Sequence, residues 1–166
     1  MDEHLFTRRT VIRAGVIGSA AASAPFATAQ TSPQQPGALT TAPTSQSGLS
    51  PRLTMHAIDT FHGTPGAGMK CELSVLEGDK YRLIKSVTTA ENGRTAEPLL
   101  ADEALKAGRY ELLMYFEEYF QKWKAQLPSP NFLKAVPVRF VIQDTKQRYH
   151  LPILFTPWGY SYYRGS

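Results

Sequence analysis

Short runs of alternating apolar and polar residues fill the chain beyond residue 52 and predict β-strands. Successive side chains of a strand point to opposite faces, which gives the sequence a two-residue period. This period recurs in five places, at 52–58, 70–75, 81–87, 110–116 and 136–142. Within 81–87 it places Tyr81, Leu83 and Val87 on one face. Residues 148–155 are apolar at both parities, which is typical of a strand covered on both sides.

One helix is predicted, at about residues 117–125. Aromatic residues recur there at helical spacing, and downstream prolines end the helix: Phe116, Tyr119, Phe120 and Trp123, then Pro128 and Pro130. Glu77-Gly78-Asp79, between two predicted strands, indicates a tight hairpin connection. Six to eight short strands with a single helix predict an all-β fold, a sandwich of two sheets.

The first 29 residues have the pattern of an export signal. Arg8 and Arg9 precede an uncharged stretch from Ala14 to Ala29, which ends in the small-residue sequence Ala27-Thr28-Ala29. A basic start, an apolar stretch and such an ending are typical of a signal peptide, and the paired arginines resemble a twin-arginine signal. The alternative, a membrane helix, needs a longer and more apolar segment. We therefore expect a periplasmic or otherwise exported protein without a stable membrane anchor.

Residues 30–51 are predicted to be a flexible linker between this signal and a folded domain. Of these 22 residues, 18 are Gln, Thr, Ser, Pro or Gly, and none is charged or aromatic. Such a segment has almost nothing to bury and cannot offset the entropy of becoming ordered. The domain is then 52–166, which contains 16 aromatic residues and therefore has the material for a dense core.

Composition and charge exclude several classes of protein. The 166-residue chain has one cysteine, Cys71, which excludes an intramolecular disulfide framework and a multi-cysteine zinc site. Its formal net charge of +4 comes from scattered basic residues, so no nucleic-acid surface is predicted. His56 and His62, six residues apart, are a poor metal pair, and no metal is expected.

Strand parity singles out two histidines. Leu53 and Met55 occupy the core face of the first strand, which leaves His56 outward, and His150 shares a face with Pro152 in the last long strand. Two interpretations remain open at this point. A partner subunit buries that outward face, or each histidine is simply capped by a neighbouring hydroxyl, which the pattern alone favours.

Three segments carry a resemblance to a known family. They are LTMHAIDT at 53–60 followed by Gly63-Thr64-Pro65, TTAENGR at 88–94, and the C-terminal YHLPIL at 149–154 with TPWGYSYYRGS at 156–166. The ending Tyr163-Arg164-Gly165-Ser166 is diagnostic of the transthyretin-like 5-hydroxyisourate hydrolases. The chain resembles that family over essentially all of 52–166.

This resemblance implies a fold, an assembly and an activity. The fold is a transthyretin-like sandwich of two four-stranded sheets, and the assembly is a homotetramer with active sites at the dimer–dimer interface. The substrate is 5-hydroxyisourate, a small molecule made when urate is oxidised in purine degradation. Hydrolysis of its cyclic amide gives 2-oxo-4-hydroxy-4-carboxy-5-ureidoimidazoline and requires no cofactor.

The resemblance also implies the site residues. His56, Arg94, His150 and Ser166 are the expected catalytic residues, and His56, Arg94, Tyr163 and Arg164 the expected substrate-binding residues. Their chemistry agrees, because a neutral imidazole is a suitable base for water and a guanidinium stabilises an oxyanion. The sequence leaves open which histidine is the base. The alternative function is that of an exported carrier for a small hydrophobic or planar ligand.

Four positions depart from the family pattern. Asn92 replaces Asp, Thr156 replaces Ser and Tyr162 replaces Thr, all of which are mild changes. Arg148 replaces a histidine often found two residues before His150. This arginine adds a positive charge near the predicted site, so we expect it to affect substrate affinity more than chemistry.

Overall fold

The computed structural model describes residues 49–165. The predicted signal peptide, most of the predicted linker and Ser166 lie outside the described residues. The elements, in chain order, are β1 (Arg52–Asp59), β2 (Thr64–Pro65), β3 (Lys70–Glu77), β4 (Lys80–Thr88), β5 (Leu100–Ala101), a 3-10 helix (Asp102–Ala104), β6 (Gly108–Met114), α1 (Phe116–Lys122), β7 (Val136–Ile142), β8 (Arg148–Phe155) and β9 (Tyr160–Tyr162).

Two sheets pack around one hydrophobic core, so the predicted all-β sandwich is confirmed. One sheet has the order β4-β3-β6-β7, and the other has the order β2-β1-β8-β9 with β5 paired to β1. The second sheet therefore has five strands where the resemblance implied four. The extra strand arises because Leu100 and Ala101 pair with Leu53 and Arg52 at the start of β1.

The site depends on β1 and β8, which lie side by side in parallel. Their register aligns Thr54 with His150 and His56 with Pro152. The core faces of both strands are those that the alternation predicts, with these residues buried: Leu53, Met55, Ala57, Tyr149, Leu151 and Ile153. Because these side chains fill the core, the intervening residues of both strands are directed to the opposite face of the sheet.

In β4 the predicted face is wrong at Leu83. The β3–β4 ladder shifts register between Leu73 and Ser74, so that Leu73 pairs with Lys85 whereas Ser74 pairs with Leu83. One extra residue in a strand reverses the faces of the residues beyond it. Consequently Ile84 and Val87 pack against the core, and Leu83 is 50% exposed.

The helix α1 is shorter than predicted and ends before the prolines. Trp123 is its C-terminal cap, and Lys124 has a φ of 53°, which breaks the helical repeat. Three of the four aromatic residues at helical spacing, Phe116, Tyr119 and Phe120, are buried, but Trp123 is 51% exposed. Within residues 49–165, no helix has the length and apolar character needed to cross a membrane.

Candidate active site

A backbone hydrogen bond joins the loop after β4, from the other sheet, to β1 beside His56. The Ala57 N–H donates a hydrogen bond to the Gly93 carbonyl at 2.8 Å, and Gly93 is buried with a φ of 72°. A Cβ at Gly93 would lie 2.3 Å from the Ala57 oxygen, so a residue with a side chain cannot approach β1 this closely. Asn92 supports the turn, since its Oδ1 accepts the Arg94 N–H at 3.0 Å. The loop thereby holds Arg94 against the β1–β8 surface.

Arg94 contacts one of the two outward histidines. Its Nη1 lies 3.4 Å from Nε2 of His150, and Nδ1 of His150 lies 2.8 Å from the Thr54 hydroxyl. A guanidinium has no acceptor, so Nε2 must accept and the proton of the neutral ring must reside on Nδ1. Thr54 Oγ1 then accepts from Nδ1. This geometry confirms that a hydroxyl caps His150, and it determines that Nε2 is the unprotonated nitrogen that faces Arg94.

Both outward histidines are held in the neutral form. Burial and then the charge of Arg94 lower the pKa of His56 below its usual value, against a hydrogen bond to the Asn92 backbone that raises it. Burial, Arg94 and His56 in turn lower the pKa of His150, against a hydrogen bond to the Thr54 backbone. At neutral pH the outward face of β1 and β8 therefore presents two proton acceptors beside one permanent cation.

The C-terminal tail packs against the same histidine. The Gly165 N–H donates to the His150 carbonyl at 2.8 Å. A Cβ at Gly165 would lie 3.1 Å from Cδ2 of His150 and 3.3 Å from Cγ of Pro152, so the tail passes directly along the ring edge. Tyr163 lies nearby, with its N–H 3.4 Å from the Pro152 carbonyl and its side chain 57% exposed.

The structure does not bring Arg164 to this group of residues. Its guanidinium lies 4.8 Å from the centroid of the Tyr149 ring and donates a hydrogen bond to Gln147 Oε1. Tyr149 is directed into the core and away from the outward face of β8. The fourth expected catalytic residue, Ser166, follows Gly165 and lies outside the described residues.

His62 belongs to a different cluster. Its Nδ1 lies 2.6 Å from Oδ2 of Asp59, a fully buried carboxylate that also accepts the Tyr119 hydroxyl at 2.9 Å. The backbone N–H groups of Phe61 and His62 donate to Asp59 Oδ1. His62 thus anchors the turn after β1, and no group of three or more potential metal ligands occurs within residues 49–165.

One residue that positions the site, Thr54, escaped the sequence analysis. Gly93 and Gly165 lie in motifs that the sequence analysis quotes, and the structure shows what each does: Gly93 lets the loop approach β1, and Gly165 brings the tail against His150. Gly93 has a local signal, because Asn-Gly favours a turn with positive φ. Thr54 has none, since its contact with His150 spans 96 residues and requires the parallel β1–β8 register.

Comparisons with known proteins identify a family and several relatives. The model of the HIUase/Transthyretin family matches residues 53–165. The 5-hydroxyisourate hydrolase 2 of Rhizobium meliloti is 45% identical over 115 residues, which cover 69% of this chain and 96% of the relative. The 5-hydroxyisourate hydrolase of Pseudomonas aeruginosa is 42% identical over 115 residues, covering 69% of this chain and 91% of that protein.

Solved structures of two kinds are also similar. That of Klebsiella pneumoniae 5-hydroxyisourate hydrolase has a TM-score of 0.57 and 31% identity, and the match covers 70% of this chain and 94% of that one. The complex of sea bream transthyretin with thyroxine has a TM-score of 0.61 at 20% identity, covering 69% and 94% of the two chains. At that identity, the transthyretin match supports the sandwich fold alone.

Proposed function

The chain belongs to the HIUase/Transthyretin family, and from that premise we propose that it hydrolyses the cyclic amide of 5-hydroxyisourate in urate degradation. One observation carries the proposal, namely the contact of Arg94 Nη1 with His150 Nε2 at 3.4 Å, backed by Thr54 on Nδ1. The contact places a proton acceptor and a fixed positive charge together, which are the two groups that amide hydrolysis requires.

His150 is the general base in this proposal. Before substrate binds, its Nε2 lone pair accepts from Arg94. When the guanidinium turns to the substrate carbonyl oxygen, Nε2 is released to take a proton from water, while Thr54 keeps the ring oriented. The water oxygen bonds to the amide carbon, and the developing oxyanion is stabilised by Arg94. The C–N bond then breaks, the proton passes from Nε2 to the departing nitrogen, and the product carries a carboxylate. His56 is near enough to Arg94 for that charge to lower its pKa. In this proposal His56 forms a hydrogen bond to the substrate ring and orients it.

The tail contributes positioning rather than charge. The exposed ring of Tyr163 is available to stack on a flat substrate, and Gly165 brings the chain end to the edge of His150. Arg164 is held by Tyr149 and Gln147, so we propose that it fixes the tail instead of binding substrate. Ser166, one residue beyond Gly165, is proposed to complete the substrate contacts.

The same proposal includes a homotetramer with the sites at the dimer–dimer interface. Large aromatic side chains are exposed where β1 ends and where β8 ends. Phe61 and Trp158 are 43% and 53% exposed, and their ring centroids are 5.5 Å apart. A second copy would bury this patch and enclose the outward face that carries His56 and His150. Sedimentation equilibrium of the chain should give four times the chain mass, and a monomer would contradict the assembly.

Export through a twin-arginine signal is proposed from the sequence of the first 29 residues. The test is replacement of both Arg8 and Arg9 by Lys in the full chain, followed by cell fractionation. The twin-arginine route requires that the double variant stays inside the cell. Undiminished export of that variant would exclude this route.

The activity is tested by following the ultraviolet decay of fresh 5-hydroxyisourate with and without the protein. Acceleration over the spontaneous decay supports the hydrolase, and binding without acceleration supports the alternative, a carrier for a planar ligand. The His/Arg/His arrangement favours hydrolysis, because a carrier has no need of a proton acceptor paired with a cation. A tag fused after Ser166 should lower the rate more than an N-terminal tag, and equal rates would remove the tail from the site.

A further inference from the structure

The C-terminal tail is attached to the turn between β7 and β8. Arg164, one residue before Gly165, donates a hydrogen bond to Oε1 of Gln147, and its guanidinium lies 4.8 Å from the centroid of the Tyr149 ring. Gln147 closes the turn, since its N–H donates to the Asp144 carbonyl at 3.3 Å. Arg164 is exposed, but Gln147 is buried with only 6% of its surface accessible. The tail is therefore held by a group that is itself fixed in the fold.

The Gln147 amide is matched to neighbours of opposite charge. Its Nε2 donates to Oδ2 of Asp144 at 3.0 Å, and its Oε1 accepts from Arg164. Because a carboxylate only accepts and a guanidinium only donates, the amide fits between them in one orientation. Hydrogen bonds from the Lys146 backbone and then from Gln147 hold the pKa of Asp144 below its usual value, so this carboxylate is ionised at neutral pH.

Tyr149 connects the turn to the strand that carries the proposed base. Its hydroxyl donates to the Asp144 carbonyl at 3.0 Å and accepts the Asp144 N–H at 3.2 Å. Tyr149 directly precedes His150 in β8, so the turn has a defined position relative to that histidine. Apart from Arg164, residues 163–165 are held by two backbone hydrogen bonds to β8, of 3.4 and 2.8 Å. The hydrogen bond to Gln147 is thus a large part of what attaches the tail.

Resting on the proposed function, we propose that Gln147 is a positioning residue for the substrate contacts of the tail. It binds Arg164 and thereby holds Tyr163 and Gly165 beside His150. Gln147 itself touches no substrate in this role. A protein whose binding-competent form is only partly populated loses affinity in proportion to that fraction. A weaker attachment should therefore raise KM and leave kcat near the parent value, because saturating substrate restores the attached tail.

The test uses variants of the full chain and two measurements. Gln147→Met keeps the length of the side chain without the acceptor, Arg164→Met removes the donor, and a double variant removes both. Hydrogen–deuterium exchange of the C-terminal peptide, read by mass spectrometry, reports attachment of the tail without substrate. In Gln147→Met the amides of Tyr163 and Gly165 should exchange about tenfold faster, since a hydrogen bond to a charged group is lost. Initial rates of 5-hydroxyisourate decay should show KM raised about threefold or more and kcat within about twofold of the parent.

A matched control and the double variant separate this role from a general loss of stability. Arg82 is an exposed arginine that donates two hydrogen bonds to Glu77 in the β3–β4 hairpin of the other sheet. Arg82→Gln should keep both the exchange of the C-terminal peptide and KM at the parent level. If Gln147 acts through Arg164, the double variant should exchange no faster than Arg164→Met alone. Thermal unfolding midpoints establish that each variant is folded, and Arg164→Met carries the test if Gln147→Met does not fold.

The outcomes separate this inference from the proposed hydrolysis. Faster exchange in the single variants without addition in the double variant, together with raised KM and retained kcat, supports the positioning role. Exchange at the parent level, KM at the parent level, or effects that add in the double variant overturn it. If exchange responds as expected but the parent does not accelerate the decay of 5-hydroxyisourate, the hydrolase proposal fails, whereas attachment of the tail by Gln147 stands.

Discussion

The close approach of the Gly93 loop to β1 permits a sharp test of how Arg94 is placed. Replacing Gly93 by Ala puts a Cβ 2.3 Å from the Ala57 oxygen, and the two must separate by about 0.7 Å to reach even the 3.0 Å limit of real contacts. The movement weakens the 2.8 Å hydrogen bond from Ala57 to Gly93, which contributes about 1 kcal/mol. The φ of 72° adds about 1 kcal/mol of strain for a residue with a Cβ.

Gly78 supplies the matched control. It has a φ of 60° in the β3–β4 hairpin, and a Cβ there would have nothing within 4 Å. Gly78→Ala therefore carries the strain of positive φ alone, about 1 kcal/mol. The free energy of unfolding of Gly93→Ala should be lower than that of the parent by about 3 kcal/mol, since the costs of strain, the weakened hydrogen bond and the steric contact add together. Urea unfolding of both variants measures the difference.

Activity should separate the same two variants. A displacement near 1 Å of a group that positions the reacting atoms costs about 10²-fold in rate. We therefore expect 5-hydroxyisourate turnover to fall about 10²-fold in Gly93→Ala and to stay at the parent level in Gly78→Ala. Equal destabilisation of the two variants, with turnover preserved in both, would refute the reasoning that contact with β1 sets the position of Arg94.

Four further predictions concern the groups at the site. Arg94→Ala should slow turnover about 10²–10³-fold, the usual cost of losing an oxyanion donor, whereas Arg109→Ala should leave it unchanged; parent-level turnover in Arg94→Ala would contradict the assignment. Because the pKa values of His56 and His150 are lowered from 6.5, turnover should fall to half its maximum only below pH 6.5. A half-maximum above that pH would count against a neutral base. NMR titration of Arg94→Gln should show both pKa values raised, since the variant removes a positive charge. Thr54→Val should slow turnover about tenfold by leaving the Nδ1 proton of His150 without its hydroxyl acceptor, and Thr54→Ser should restore it.

Much of the fold could be predicted because strand parity is a local property. Leu53, Met55 and Ala57 are buried as their alternation predicts, and the boundaries of β8 match the apolar run at 148–155. Leu83 could not be placed correctly, because the register shift arises in the pairing of β3 with β4 and not in the sequence of β4 itself. The early end of α1 likewise depends on Lys124 adopting a positive φ, which its residue type does not indicate.

The site shows the same division between local and long-range information. His56 and His150 could be assigned to the outward face from parity alone, since each lies in a strand with a clear core face. Thr54, which orients His150, could not be predicted from the sequence. The two residues become neighbours only because the first and the last long strand pair in parallel. That one register therefore determines the tautomer of the proposed base. If β8 slipped by one residue along β1, His150 would turn into the core and away from Thr54, and the site would be lost even if the sheet survived.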